Sequence, residues 1–512
     1  MVLMYNLMQL FSNLVFGLIM KHFFLAFYLS LSFSASADIM DDSGTRWPVP
    51  DWHITDKMTE RIQSPQCQDF LTFSTKSKKF LTEGLVIIKN GTLVYEGYDS
   101  KYRFSTPHIL WSVSKTITGA ILGTAVRDGK ISLEQRLNEF YPHPNASAVY
   151  QEIKIKNLFY LDTGFLWNEY YAGDVKKSPV LNMLYGNGHK DIAAYAISKD
   201  ILPEGPGFQW NYSTGTPAIT MGILKKVFGN DYDDMPWKVL FNPLSMTHVT
   251  FERDHLGVFN GGSSVFATPR EMAKLGYLYL NRGKWNGKEI LPEEWIDKTL
   301  QVSPGYISDG TVIRDISEDG VYGGSIWLNK EVKKDFGRPY PTSPEDMFLA
   351  LGHYGQMIVI LPTQKMVIAR TGYDQEYNSK IDEFVSRAIS CFDDPNYPIG
   401  KYIPPPPYSK MTFLKVFNTL RSGLQTNLIQ AAVAKTVCSC YFVSGLDIKT
   451  CVARSNIPVA KYLAKVSIKD NVVYSEQTNL AKLFVNVFGF QSEKRAEARF
   501  NNKRQEFGCI LK

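Results

Sequence analysis

The chain has 512 residues and a mass of 58.1 kDa, enough for two or three domains. Apolar residues make up 44% and aromatic residues 13%, a composition that excludes a disordered or fibrous protein. The net charge of +6 is uneven: residues 412–512 hold fifteen Lys/Arg against six Asp/Glu, whereas residues 38–411 are net −4. Nucleic acid is therefore not an expected partner of the main body, and a basic tail is left to explain.

In chain order, Met20-Lys21-His22 opens a short basic stretch, Phe23 to Phe33 is an apolar run, and Ala35-Ser36-Ala37 offers an A-x-A cleavage site. This is the pattern of an export signal. Residues 1–37 are read as a signal peptide, with Met20 an alternative start, and the mature chain is expected in the periplasm or outside the cell. The apolar run is short for a bilayer span, so no transmembrane segment is expected in the mature chain. Gly84 to Tyr98 forms two β-rich runs around Asn90-Gly91, a strong short-range hairpin signal. Leu110, Val113, Ile117, Ile121, Leu122 and Val126 fall at helical spacing, and Asp128-Gly129 ends that helix. A long region of helical patterns follows. Gln356–Ile360 and Met366–Ala369 then read as strands around Leu361-Pro362-Thr363-Gln364, and Ile381–Ser390 as a closing helix. Strands at both ends of one unit with helices between predict an α/β sheet domain, residues 38–400, carrying a helical insertion. Residues 401–411 contain Pro404-Pro405-Pro406-Pro407, a stiff linker. In the module 412–512, Val437–Val443 and Val466–Tyr474 are expected to be short strands.

Six cysteines suit an exported protein. Cys67 and Cys391 belong to the body, and their segments are expected to pack side by side, bridged or as two buried thiols. Cys438, Cys440, Cys451 and Cys509 crowd into the tail. Disulfides are preferred there over a zinc site, but sequence leaves three pairings open.

The chemistry rests on Ser112-Val113-Ser114-Lys115, the sole S-x-x-K of the chain. Residues three apart share a helix face, so the Lys115 amine can reach the Ser112 hydroxyl. Serine needs an adjacent base, and a desolvated lysine supplies one because burial disfavours the ammonium. A place in the first helical turn adds free N–H groups that favour an oxyanion.

A second element is Gln209-Trp210-Asn211-Tyr212-Ser213-Thr214. With S-x-x-K it resembles the Y-x-N element of the serine β-lactamase-like hydrolases. Their class C branch holds class C β-lactamases, D-Ala-D-Ala carboxypeptidases, family VIII carboxylesterases and 6-aminohexanoate-dimer hydrolase. Leu161–Tyr170, Pro243-Leu244-Ser245-Met246-Thr247 and Gly261–Ala273 are similar to further stretches of that family, over roughly residues 84–390. The resemblance implies a β-lactamase/transpeptidase-like fold: an antiparallel sheet flanked by helices, plus a helical subdomain. The small Cys-containing module would be an addition to it. It also implies Ser112 as nucleophile, Lys115 as proton acceptor and Tyr212 as the phenol that passes the proton on, with neither metal nor cofactor.

Thr214 departs from the family's asparagine. The third family element is matched by His353-Tyr354-Gly355, or by the compact Gly352–Gln356 segment, where a backbone N–H is expected to complete an oxyanion hole. His353, Gly355 and Gln356 are thus candidate lining residues, and Tyr170 with Tyr171 a candidate aromatic wall. No lysine stands in 350–356 to bind a carboxylate. The expectation is therefore an exported serine hydrolase of esters or amides, rather than a carboxypeptidase or β-lactamase. The contrasting expectation is a non-catalytic envelope-binding protein whose basic tail meets an anionic polymer.

Overall fold

A computed structural model describes residues 39–40 and 44–512, except 77–79, 144–146, 170, 172–173, 308–319, 333–336, 375–379, 402–420, 425–427, 456–459 and 488–494. The export signal, most of the proline linker and Tyr170 lie outside the described residues.

Along the body the main elements are α1 (Pro65–Thr75), β1 (Thr82–Lys89), β2 (Thr92–Tyr98), β3 (His108–Ile109) and α2 (Val113–Arg127). They are followed by α3 (Gly215–Phe228), β4 (Thr250–Phe251), β5 (Val265–Ala267) and α4 (Pro269–Leu280). The body closes with β6 (Val321–Tyr322), β7 (Trp327–Leu328), β8 (Phe348–Gly352), β9 (Gln356–Leu361), β10 (Met366–Gly372) and α5 (Ile381–Phe392). The main sheet is antiparallel, in the order β6-β7-β8-β9-β10-β1-β2. Its strands come from both ends of the body, and the helical middle sits between them in sequence. This is the antiparallel, helix-flanked architecture that the resemblance implies.

The β1–β2 hairpin turns at Asn90 and Gly91, both at positive φ (49° and 73°), the geometry a two-residue hairpin loop requires. Residues 83–88 of β1 and all of β9 and β10 are buried, and α4 covers these three strands on one face. Gly276 of α4 is pressed so close that an added Cβ would lie 2.6 Å from Val367 and 2.7 Å from Ile358. α1 and α5 pack together through Phe70, Phe384 and Phe392, and the Cys67–Cys391 disulfide joins them.

The C-terminal region forms a second layer: α6 (Leu428–Phe442), α7 (Ile448–Ala453), β11 (Ala464–Lys469), β12 (Val472–Gln477), β13 (Arg495–Phe500) and β14 (Cys509–Leu511). The four strands make an antiparallel sheet on which α6 lies. The expected strand at Val437–Val443 is corrected here: residues 437–442 are the last turns of α6. Their β-branched and aromatic residues are overridden by the alanine-rich start of the helix and by its packing on the sheet. The expected strand at Val466–Tyr474 is instead a hairpin, turning at Asp470 and Asn471. The tail cysteines pair as Cys438–Cys509 and Cys440–Cys451. The zinc alternative is thereby set aside, since all four sulfurs are in disulfides.

Two buried body carboxylates hold this layer. Glu252 accepts from Lys435 (2.6 Å), from the Ser439 hydroxyl and from the Cys509 N–H (3.0 Å). Glu83 pairs with Arg454, accepts from the Tyr102 hydroxyl (3.0 Å) and lies 3.2 Å from His108 Nδ1. Among the described residues no helix is long and apolar enough to cross a membrane.

Candidate active site

The chain enters α2 through Trp111, a non-glycine residue in the left-handed region (φ 48°). Such strain is held only where the surroundings over-determine it. The following turn puts Ser112 at the N-cap of α2; the expected free N–H groups of the first turn are taken, Val113 N–H by Leu110 O (3.2 Å), Ser114 N–H by Trp111 O (2.9 Å) and Lys115 N–H by Ser112 O (3.0 Å). One turn on, Lys115 is 2% exposed. Its Nζ donates to Ser112 Oγ (2.9 Å), Thr214 Oγ1 (3.0 Å) and the Gly262 carbonyl (3.0 Å). Desolvation lowers its pKa to about 8, against the opposing pull of the Glu169 carboxylate. Gly262 has to be glycine for this approach, because a Cβ there would meet Thr214 O at 2.5 Å.

Tyr212 presents its ring face to the same amine, with Nζ 4.6 Å from the centroid. The ring is clamped by Trp327, stacked at 5.5 Å, and by Tyr322 edge-on at 5.9 Å. Just before it, Asn211 Nδ2 donates to the carbonyls of Phe165 and Trp167 (3.1 Å each). This ties the loop of residues 165–167 to the segment that leads into α3.

Gly352, at the end of β8, lies against this entry turn: a Cβ there would come 2.3 Å from Leu110 O. His353 then packs edge-on against Trp111 (5.9 Å) and flat against Tyr171 (5.3 Å). Burial lowers its pKa to about 4, so the imidazole is neutral near pH 7. The wall beside Ser112 is therefore aromatic and uncharged.

Residues 72–374 match the family described as Beta-lactamase. The chain belongs to the β-lactamase family. A 6-aminohexanoate-dimer hydrolase from Paenarthrobacter ureafaciens is 21% identical over 275 residues, 48% of this chain and 69% of that protein. A solved structure from Bacillus anthracis, provisionally named a 6-aminohexanoate-dimer hydrolase, is similar with a TM-score of 0.51 at 22% identity. That match covers 63% of this chain and 80% of the other, and it speaks for the fold. With its hydrolase relative, family membership makes this chain a serine hydrolase of the esterase/amidase type.

In this β-lactamase-family hydrolase the expected site residues divide into two groups. Ser112, Lys115, Tyr212 and Thr214 meet around one amine. Gly355 and Gln356 instead hold the turn behind it. Gln356 Nε2 donates to His353 O (3.1 Å) and Gly372 O (2.7 Å), and its Oε1 accepts from Gly372 N (3.2 Å). Gly355, at φ 83°, leaves room for the buried Arg370–Asp374 pair, whose atoms a Cβ would meet at 2.2–2.3 Å. Sequence reading missed Glu169. It lies in the quoted Leu161–Tyr170 stretch, but nothing in its spacing announces that it reaches Thr214.

Proposed function

We propose that the protein is an exported hydrolase that cleaves esters or linear amides through an acyl-enzyme on Ser112. The observation that supports this most is the buried Lys115 amine 2.9 Å from Ser112 Oγ, with its pKa lowered to about 8. A neutral amine keeps two N–H groups and one lone pair. Thr214 Oγ1 and the Gly262 carbonyl take the two N–H groups, so the lone pair faces Ser112. Ser112 Oγ attacks the acyl carbon and its proton passes to Lys115. The oxyanion is met by the Ser112 N–H and a backbone N–H of the 352–356 segment. Tyr212, beside the lysine, relays the proton to the leaving oxygen or nitrogen as its bond to the acyl carbon breaks. Water then attacks the acyl-enzyme, gives its proton to the same pair, and releases the acid and Ser112.

Esters and linear amides are favoured because the aromatic wall offers no cation for a substrate carboxylate. His353 is neutral, and Thr214 has no side-chain amide for an acylamino group. The hydrolase from Paenarthrobacter ureafaciens is named for a linear amide substrate, in keeping with this reading. Export is supported by the signal-like start and by the pairing of all six cysteines.

Intact-protein mass spectrometry after a fluorophosphonate or penicillin, with Ser112→Ala as control, tests the proposal. Ser112-dependent fluorophosphonate labelling without a lasting penicilloyl adduct supports it. A persistent penicillin adduct on Ser112 would replace it with a cell-wall peptidase. Absence of labelling by both reagents would leave a non-catalytic binding protein.

A further inference from the structure

We propose that Glu169 is a positioning residue that reserves the Lys115 lone pair for Ser112 by holding the proton of the Thr214 hydroxyl. The inference rests on the Ser112–Lys115 reading above and adds a third layer to it. The Glu169 carboxylate accepts from Trp167 Nε1 (2.8 Å), the Thr214 N–H, Thr214 Oγ1 (3.2 Å) and the Tyr171 hydroxyl (3.1 Å). Four donors converge on its two oxygens. All four contacts use the carboxylate oxygens as acceptors.

The consequence falls on the hydroxyl in the middle. Thr214 Oγ1 has one proton, and it points to Glu169. Only lone pairs then face Lys115 Nζ, 3.0 Å away. Were that proton free to rotate, it would donate to the lone pair of the neutral amine and compete with Ser112 for it. Such a hydroxyl would also weaken one of the two acceptors that orient the amine. The Thr214 hydroxyl thus does for Lys115 what a fixed acceptor would do, because an anion stands behind it.

The same anion acts on Lys115 through space. Burial lowers the lysine pKa and Glu169 raises it in part, leaving an amine able to take a proton from Ser112 and return it near neutral pH. Glu169 is the carboxylate whose field reaches Lys115. Tyr212, whose ring lies 4.6 Å from Lys115 Nζ, and Tyr171, whose hydroxyl donates to Glu169, are the further titratable groups of this cluster.

The test is the rate at which a fluorophosphonate labels Ser112 as a function of pH, in the full-length protein. In Glu169→Gln the side-chain NH₂ can stand where Oε2 was and donate to Thr214 Oγ1, turning the hydroxyl proton toward Lys115. Labelling is expected to slow by about tenfold or more on the plateau, and the acidic limb to move to lower pH. Thr214→Val should slow labelling likewise, and Glu169→Gln added to it should cost much less than it does alone. Thr214→Asn, whose carbonyl can face Lys115 while its NH₂ donates to Glu169, should restore most of the rate. A merely structural role would change the amount of folded protein without moving the limb. Unchanged profiles in Glu169→Gln and Thr214→Val, with wild type labelled on Ser112, overturn the Glu169 proposal alone. Absence of Ser112 labelling in wild type overturns the hydrolase reading and this inference together.

Discussion

Lys115 and Lys435 are both drawn out of water, for opposite ends. Lys435 of α6 meets Glu252 directly at 2.6 Å, and Glu252 is itself held by the Ser439 hydroxyl and the Cys509 N–H. Lys115 of α2 meets a hydroxyl, a second hydroxyl and a carbonyl, and the nearest acidic group, Glu169, stands one hydroxyl further away. Burial lowers both amines, and an anion opposes the fall in each case. The difference lies in contact. A carboxylate in contact fixes the ammonium as half of a clamp between body and tail. A carboxylate behind a hydroxyl leaves the amine able to change protonation state.

The largest contrast is expected from Lys115→Met and Lys435→Met. The first should lower kcat/KM on a simple ester by about 10³-fold or more, the range of a lost general base, with the fold intact by circular dichroism. Lys435→Met should leave kcat/KM within a few-fold and lower the unfolding midpoint in denaturant instead. If Lys435→Met cost as much activity as Lys115→Met, the division into base and clamp would fail.

A pH profile sharpens the same contrast. Lys115 has to be neutral to accept from Ser112, so kcat/KM should rise with pH through about 8 and level off above it. A limb controlled by a carboxylate, near pH 4–5, would point to another group.

Breaking the clamp from the body side is the next test. Glu252→Gln leaves Lys435 buried beside a neutral amide, and removing one partner of a buried pair costs about 3–5 kcal/mol. Denaturant unfolding should show this, and the double variant Glu252→Gln/Lys435→Met should recover part of it. The smallest effect is expected from Cys440→Ser/Cys451→Ser. That bridge spans 11 residues, and a loop of this length is worth about 3 kcal/mol or less. The variant should keep its activity and unfold at slightly lower denaturant.

Legibility in the sequence followed how local each interaction was. Ser112 and Lys115 were readable as a pair because helix geometry alone brings i and i+3 together. The Asn90-Gly91 turn was readable because its positive φ values demand those residues. Residues 84–98, 356–360 and 366–369 could be assigned as strands, though their joining at β10-β1 is a contact across nearly the whole domain; β6, β7 and β8 were not read from the sequence. Val437–Val443 went the other way. Its β-branched residues favour a strand locally, and only the burial of α6 against a distant sheet decides for a helix.

What the sequence determined by itself was therefore the short-range chemistry: a serine with a lysine one turn away and a hairpin. Tertiary structure alone decided the disulfide partners, the burial that lowers Lys115, and the Glu169–Thr214 contact behind it. It also decided that Gln356 holds a turn rather than facing the amine. Each of these depends on which distant segments share a dry interior, and both desolvation and the cost of an unmet hydrogen bond are properties of that packing rather than of spacing along the chain.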